Sequence, residues 1–425
     1  MKWPRLLPEL EATRQPPMSA SPIVLAYSGG LDTSFCVPWL SEKYRRPVVT
    51  LTVNTGGIDS GQAESLERRA LALGAQRHLL VEARPQFFDE VIRHLIAGNV
   101  RRGHTYPLCV GAERGVQAKI LARTAQELGG DTVAHGCTAA GNDQFRFEMA
   151  MRALAPEINV LAPVRDESFQ RREQVAYLAE RGAPQLPQGG DYSINRGLWG
   201  VTIGGRETLT SAGSIPETAW VLSAGALEDP LPEEPHELEF EAGLPVSWDG
   251  ETMQPVDLIE TLEAAGGRFG IGRGIHLGDT ILGSKGRVAY EAPAAEILLC
   301  AHRELEKLTL GAGQMRVKDT LAAVYGDLVH EGKQLDPVCR DIEAFFDSSQ
   351  ARVSGRVHLA LQPGGVWVRG VESPHSLLAA SRGVYGETAG EWSPRDALGA
   401  ARVLALPGML HSRVSASADE GGGDA

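Results

Sequence analysis

A short apolar run, Ile23-Val24-Leu25-Ala26-Tyr27, stops abruptly in Ser28-Gly29-Gly30 and resumes as Leu31-Asp32-Thr33-Ser34. Strand, glycine turn and helix start follow one another without a spacer, which is the opening of a β-α-β unit. Asp32, Thr33 or Ser34 is available to cap the helix. A second apolar run, 48–53, stops at Asn54-Thr55-Gly56-Gly57, and the runs at 132–136 and 158–164 read as further strands. Helical patterns lie between them: Val116, Ile120, Leu121 and Leu128 share a face ahead of Gly129-Gly130, and Val175 and Leu178 precede Gly182. Strands alternating with helices predict an α/β fold with a doubly wound parallel sheet. Pro38 falls inside the first helix and predicts a kink there.

The pattern changes after about residue 185. The segment HELEFEAGLPVSW alternates and turns, and RVHLALQPGGVWVRGV reads as a hairpin. Ile297, Leu298, His302 and Leu305, then Leu321, Val324 and Leu328, read as amphipathic helices. The expected organisation is a loose extension over 1–20, a nucleotide-binding domain over 21–185, an α+β domain over 186–400 and a C-terminal tail over 401–425. Two domains also suit 425 residues, since single cores stop growing near about 250–300. SASADEGGGDA, at the end, has the composition of a disordered tail.

A formal charge of −13 argues against a nucleic-acid partner, which phosphate binding would match with surplus Lys and Arg. It leaves room for a small anion, which needs only a local nest of N–H groups. Five scattered cysteines without a C-x-x-C pair point to a reducing, cytoplasmic setting. No apolar run reaches the about 18 residues of a membrane span.

Adjacent glycines let successive N–H groups converge on an anion, and the helix start adds its dipole. Ser28, Thr33 and Ser34 supply hydroxyls. Asp32 beside phosphates would repel them unless Mg²⁺ lay between, so it is a candidate metal contact. The loop is neither G-x-x-x-x-G-K-[ST] nor G-x-G-x-x-G. It resembles the pyrophosphate loop of the ATP pyrophosphatases, in which the β and γ phosphates leave together and AMP stays on a substrate oxygen.

A second polar constellation, His135-Gly136-Cys137-Thr138-Ala139-Ala140-Gly141-Asn142-Asp143-Gln144-Phe145-Arg146-Phe147-Glu148, follows a strand. By residue type it suits zwitterionic amino acids, with Arg for a carboxylate and Asp for an ammonium. It also suits a solvated helix cap. The segment resembles the HG-x-T-x-x-GNDQ-x-RFE signature of the argininosuccinate synthases. Tyr106-Pro107-Leu108, Tyr192 to Asn195, Leu198-Trp199-Gly200, Gly270 to Arg273, Lys285-Gly286-Arg287 and Tyr290 to Pro293 agree with it in order. The resemblance covers roughly 21–405.

That resemblance implies ligation of L-citrulline and L-aspartate to argininosuccinate through an adenylylated citrulline, with ATP and Mg²⁺ consumed as a pair, in a homotetramer. It implies ATP contacts at Ala26, Tyr27, Ser28, Gly29, Gly30, Leu31, Asp32, Thr33, Ser34, Val53 and Gly136. Aspartate would meet Thr138, Asn142 and Asp143. Citrulline would meet Tyr106, Asn142, Arg146, Ser193, Thr202 and Tyr290. Asp32 and Asp143 are the catalytic candidates, the first for metal or phosphate positioning and the second for orienting the aspartate amine.

Two positions depart from the family pattern. Gly111 stands where a citrulline-contacting serine is usual, and Gly278 where a glutamate would hold the citrulline amine. Asp279 could substitute after a loop shift. These departures keep open an N-acylated citrulline as acceptor, or a silent ATP-binding sensor. Pro407-Gly408 predicts a C-terminal helix that is short or absent.

Overall fold

The computed structural model describes residues 21–183 and 191–420. The extension expected over 1–20 and the boundary expected at 185–186 lie outside the described residues. Five strands, β1 (Ile23–Ala26), β2 (Val48–Asn54), β3 (Arg77–Glu82), β4 (Thr132–Ala134) and β5 (Asn159–Leu161), form one sheet in the order β3-β2-β1-β4-β5. All its pairings are parallel. β3 is absent from the sequence reading. It is an edge strand that begins with Arg77 and His78 and leaves Leu80 exposed, so its apolar signal is weak.

Each strand feeds two cores because its side chains alternate. Val24, Leu51 and Val133 point into the core shared with helices Arg114–Glu127 and Asp143–Leu154. Ile23, Leu25 and Ala134 point the other way, onto Phe35 and Leu40 of helix Leu31–Tyr44 and Leu178 of helix Arg171–Glu180. Burial on both faces explains why these strands read as unbroken apolar runs. Helix Leu31–Tyr44 continues through Pro38.

The second part holds two antiparallel sheets. β6 (Tyr192–Gly197), β7 (Gly200–Gly205), β11 (Arg273–Asp279) and β12 (Lys285–Glu291) form one, in the order β11-β12-β7-β6. β8 (Glu234–Glu241), β9 (Leu244–Trp248), β10 (Glu251–Thr252), β13 (Gly355–Gln362) and β14 (Gly365–Glu372) form the other. The hairpin expected from the sequence is β13–β14, and the alternating segment before it forms the antiparallel pair β8–β9. Helices Pro255–Arg268, Pro293–Thr309, Ala312–His330 and Pro337–Gln350 accompany them. Val324 is exposed, so the core face of Ala312–His330 is carried instead by residues such as Ala322, Tyr325 and Val329.

At the C-terminus the expectation of a helix that is short or absent is corrected. Helix Pro394–Leu404 is followed by helix Leu406–Glu420. Pro407 lies in the first helical turn, where its missing N–H costs nothing, so it starts a helix rather than ending one. Leu398, Val403, Leu404, Leu410 and Val414 on these helices are exposed. No helix among the described residues is long and apolar enough to cross a membrane.

Candidate active site

In a parallel sheet whose strand order reverses, the crevice opens where neighbouring connections leave in opposite directions. Here that point is the C-terminal edge of β1 and β4, which pair directly through Leu25 and Ala134. Both motifs singled out in the sequence emerge there.

The loop after β1 turns at Gly29, whose φ of 73° suits glycine. Gly30 is the residue before helix Leu31–Tyr44, and no side chain caps that end. Asp32, Thr33 and Ser34 therefore lie inside the helix rather than at its cap, and the expectation of a capping side chain is corrected. Thr33 instead ties the loop together: its hydroxyl accepts from Ser28 N–H at 3.3 Å, lies 3.2 Å from Ser28 Oγ and donates to Gly30 O at 3.3 Å. Ser34 does not reach the loop's interior. One turn into the helix it faces the core, fully buried, with its hydroxyl 3.5 Å from that of Tyr27.

A cavity of about 770 Å³ opens above this loop, within the about 300–1,000 Å³ of small-molecule sites. Ala26, Tyr27, Ser28, Gly30, Asp32 and Thr33 line it, as do Val53 from β2 and Gly136 and Asp143 from the segment after β4. Gly29, Leu31 and Ser34 do not. Asp32 lines the cavity and forms no ion pair among the described residues. The opposite wall comes from the second part of the chain, through Asn195 and Arg196 on β6. The two parts are joined beside it by Leu198 N–H donating to Thr55 O at 2.8 Å.

Several lining residues carry no signal in the sequence. Arg69, on helix Ser60–Ala72, donates from Nη1 to Gly29 O at 2.6 Å. At the start of helix Arg114–Glu127, Glu113 is buried and Arg114 half-buried, with Gln117 beside them. A lone Arg or Gln on a helix looks like any solvated residue until the fold turns it inward.

Asp143 is the pivot of the second constellation. It accepts from Arg114 Nε at 3.0 Å and Arg146 Nη1 at 2.7 Å. Burial pushes its carboxyl up, but the two guanidiniums outweigh burial and hold it down at about 2. It is an anion throughout the neutral range and does not serve as a proton acceptor there. His135 stacks on Phe147 and accepts from Cys137 N–H at 3.3 Å, and burial lowers it to about 4. It supports the loop as a neutral ring. Burial pushes the Cys137 thiol up to about 12.

The remaining expected contacts gather outside the cavity proper. Tyr106 stacks on His276 and lies 5.1 Å from the ring of Tyr290. Tyr290 sits opposite Thr202 in the β7–β12 register, and its hydroxyl donates to Thr105 O. Arg146 reaches the same region by donating to His330 O. Asn142 Oδ1 accepts from Ile281 N–H at 3.0 Å, a bond across the two parts. Thr138 lies on the exposed turn before Asn142, and Ser193 is exposed on β6 opposite Gly204. Asp143 thus connects the cavity to Arg146, while Ser193 and Thr138 are exposed and do not line it.

At both departures a side chain would have to displace a neighbour. Gly111 has φ 101°, and a Cβ there would lie 2.8 Å from the Arg146 guanidinium carbon. At Gly278 a Cβ would lie 2.5 Å from His276 Nε2 and 2.9 Å from Arg102 Nη1. Asp279 does not take over: it pairs with Lys285 at 2.5 Å on the exposed strand end.

The model of the arginosuccinate synthase N-terminal HUP domain matches residues 22–184, and that of the arginosuccinate synthase C-terminal domain matches 192–411. The chain is 37% identical over 388 residues to the argininosuccinate synthase of Methanocaldococcus jannaschii, covering 91% of this chain and 97% of that protein. It is 39% identical to the Pyrobaculum aerophilum argininosuccinate synthase, over 89% and 94% of the two chains. The Xanthomonas campestris pv. campestris argininosuccinate synthase is 37% identical, over 94% of this chain and all of its own length (100%).

Proposed function

The chain belongs to the argininosuccinate synthase family and is an ATP-dependent ligase, and from that premise we propose how its cavity joins L-citrulline to L-aspartate. The observation that carries the reading is convergence. A phosphate-type loop and an Asn-Asp-x-x-Arg constellation leave adjacent strands and meet at Asp143.

A ureido carbon is a poor electrophile because its oxygen leaves badly. Activation therefore comes first: the ureido oxygen attacks the α-phosphorus, and the bond to the β-phosphate breaks to release pyrophosphate. The neutral aspartate amine then attacks the ureido carbon, and AMP departs with the former ureido oxygen. Argininosuccinate, AMP and pyrophosphate are the products. We assign the phosphates to Ser28, Gly30 and Thr33, and the nucleoside to the wall at Val53 and Gly136. We assign aspartate to Thr138, Asn142 and Asp143, and citrulline to Tyr106, Arg146, Ser193, Thr202 and Tyr290. Positioning and charge neutralisation supply the rate, so no side chain is assigned as a base.

Mg²⁺ fits as a companion of ATP rather than a resident ion. No group of three or more metal-ligating side chains occurs among the described residues, whereas Asp32 offers one unpaired carboxylate beside the loop. A magnesium ion usually takes one or two protein carboxylates plus phosphate oxygens, and it would neutralise charge on the departing pyrophosphate.

The proposal extends to a two-domain chain divided near 185 and 400, acting as a cytoplasmic homotetramer. Five free thiols and the exposed apolar residues of the two C-terminal helices support that setting and assembly. Gly278, backed by Arg102 and His276, favours a second reading in which the acceptor's α-nitrogen is acylated and neutral.

Pyrophosphate release is the test, measured with ATP, Mg²⁺ and aspartate against L-citrulline and N-acetylcitrulline. Release that requires both amino acids and yields argininosuccinate is expected. Release only with the acylated acceptor would replace the main reading by the second, and release indifferent to aspartate would overturn both.

A further inference from the structure

The phosphate loop is gripped from outside by a residue that belongs to neither motif. On helix Ser60–Ala72, Leu66 and Arg69 are three apart and so share a face. Leu66 packs against the turn so closely that a Cβ on Gly29 would lie 2.4 Å from its Cδ2. Arg69 Nη1 donates to Gly29 O at 2.6 Å, and Leu66 and Arg69 both line the cavity. The helix start is fixed by a capping box, Asp59 accepting from Gln62 N–H at 2.8 Å and Gln62 accepting from Asp59 N–H at 3.0 Å.

This contact orients more than a carbonyl. The peptide between Gly29 and Gly30 is trans, as is every described peptide, so its C=O and N–H point in opposite directions. Holding the carbonyl on Arg69 turns the Gly30 N–H away from helix Ser60–Ala72. That N–H precedes helix Leu31–Tyr44 and meets only Ser28 Oγ, at 3.5 Å. It is an underused donor at the positive end of a helix, on a residue that lines the cavity.

We propose that Arg69 is the positioning residue for the pyrophosphate leaving group, holding the Gly29–Gly30 peptide with its N–H toward the phosphates and placing a positive charge beside them. The inference rests on the ligase reading above. In the activation step the α-phosphorus gains a bond to the ureido oxygen. It loses the bond to the bridging oxygen, which carries the electron pair away on pyrophosphate. Charge develops on the group that the loop holds, and an oriented N–H with a guanidinium behind it is worth most at that moment.

The experiment compares wild type with Arg69→Met, Arg69→Lys and Arg69→Gln. The readouts are pyrophosphate formation at saturating substrates, inhibition by added magnesium pyrophosphate, KM for aspartate and melting temperature. Arg69→Met is expected to slow pyrophosphate formation and weaken pyrophosphate inhibition by about tenfold or more each. KM for aspartate should stay within about twofold, because that substrate does not meet the loop. Arg69→Lys should recover much of the pyrophosphate inhibition. Arg69→Gln, which keeps a donor for Gly29 O without the charge, should not, and it decides the matter if the Met variant does not fold. Wild-type inhibition by pyrophosphate in Arg69→Gln overturns the proposal, as does equal impairment of all three variants in step with melting temperature. A wild-type enzyme that releases no pyrophosphate overturns the ligase reading instead, so the two failures are distinct.

Discussion

Position 111 illustrates how one residue records its neighbours. A serine there must adopt φ near 101° and place its Cβ 2.8 Å from a guanidinium that Asp143 and the His330 carbonyl already hold in place. Left-handed backbone at a non-glycine residue costs on the order of 1–3 kcal/mol. Gly111→Ser is therefore expected to lower the melting temperature and to raise KM for citrulline more than KM for ATP. Equal changes in both constants would show that Arg146 is free to move. Much at this scale was legible beforehand: Ser28, Gly30, Thr33, Val53, Gly136 and Asp143 all reach the cavity. Ser34 did not, because a helix beginning at Leu31 rotates its fourth residue into the core. Arg69 and Arg114 were invisible because their roles depend on long-range partners, Gly29 forty residues away and Asp143 twenty-nine away.

Among elements, the joint between helices of the second part depends on a buried ion pair. Lys318 Nζ lies 2.8 Å from Glu306 Oε1, with both side chains at 0% exposure, and it also donates to Ala97 O. Glu306 accepts further from Asn99 at 2.6 Å and Gln350 at 2.8 Å. Removing one member of such a pair typically costs about 3–5 kcal/mol, since the other charge stays buried. Lys318→Met should lower unfolding free energy by that order, and adding Glu306→Gln should restore part of it. Denaturant titration reads both, and a double variant no more stable than the single one would refute the pairing. Alternation located strands here, and periodicity located helices Pro293–Thr309 and Ala312–His330 but not Pro255–Arg268 or Pro337–Gln350. Which helix face is core was misjudged at Val324, because two faces of Ala312–His330 carry apolar residues and only tertiary packing chooses between them. β3 and the C-terminal helices were missed for related reasons, a polar edge strand and a proline that begins a helix.

The whole molecule carries histidines kept neutral by burial. His94 and His135 are both lowered to about 4, burial being the main cause in each. The unfolded chain takes up protons near its ordinary value of about 6.5. A folded state that refuses them is destabilised as pH falls from about 6.5 to about 4, and fully stable above that window. Each can contribute on the order of 3 kcal/mol across it. Melting temperature should fall steeply between pH 7 and 4.5, and less steeply in His94→Gln; identical slopes would exclude His94 as a source. The pairing of β1 with β4 has a consequence of another kind. Because Leu25 and Ala134 are fixed opposite each other, the origins of the two loops cannot slide relative to one another without breaking the ladder. Under the proposed assignment, the sheet acts as a ruler between the place where phosphate is cut and the place where the new C–N bond is made. Substitutions within the second loop can change which acceptor is welcomed. An acceptor longer or shorter by a methylene group would present its oxygen off the mark, and no side-chain change alone could bring the ruler's two ends closer.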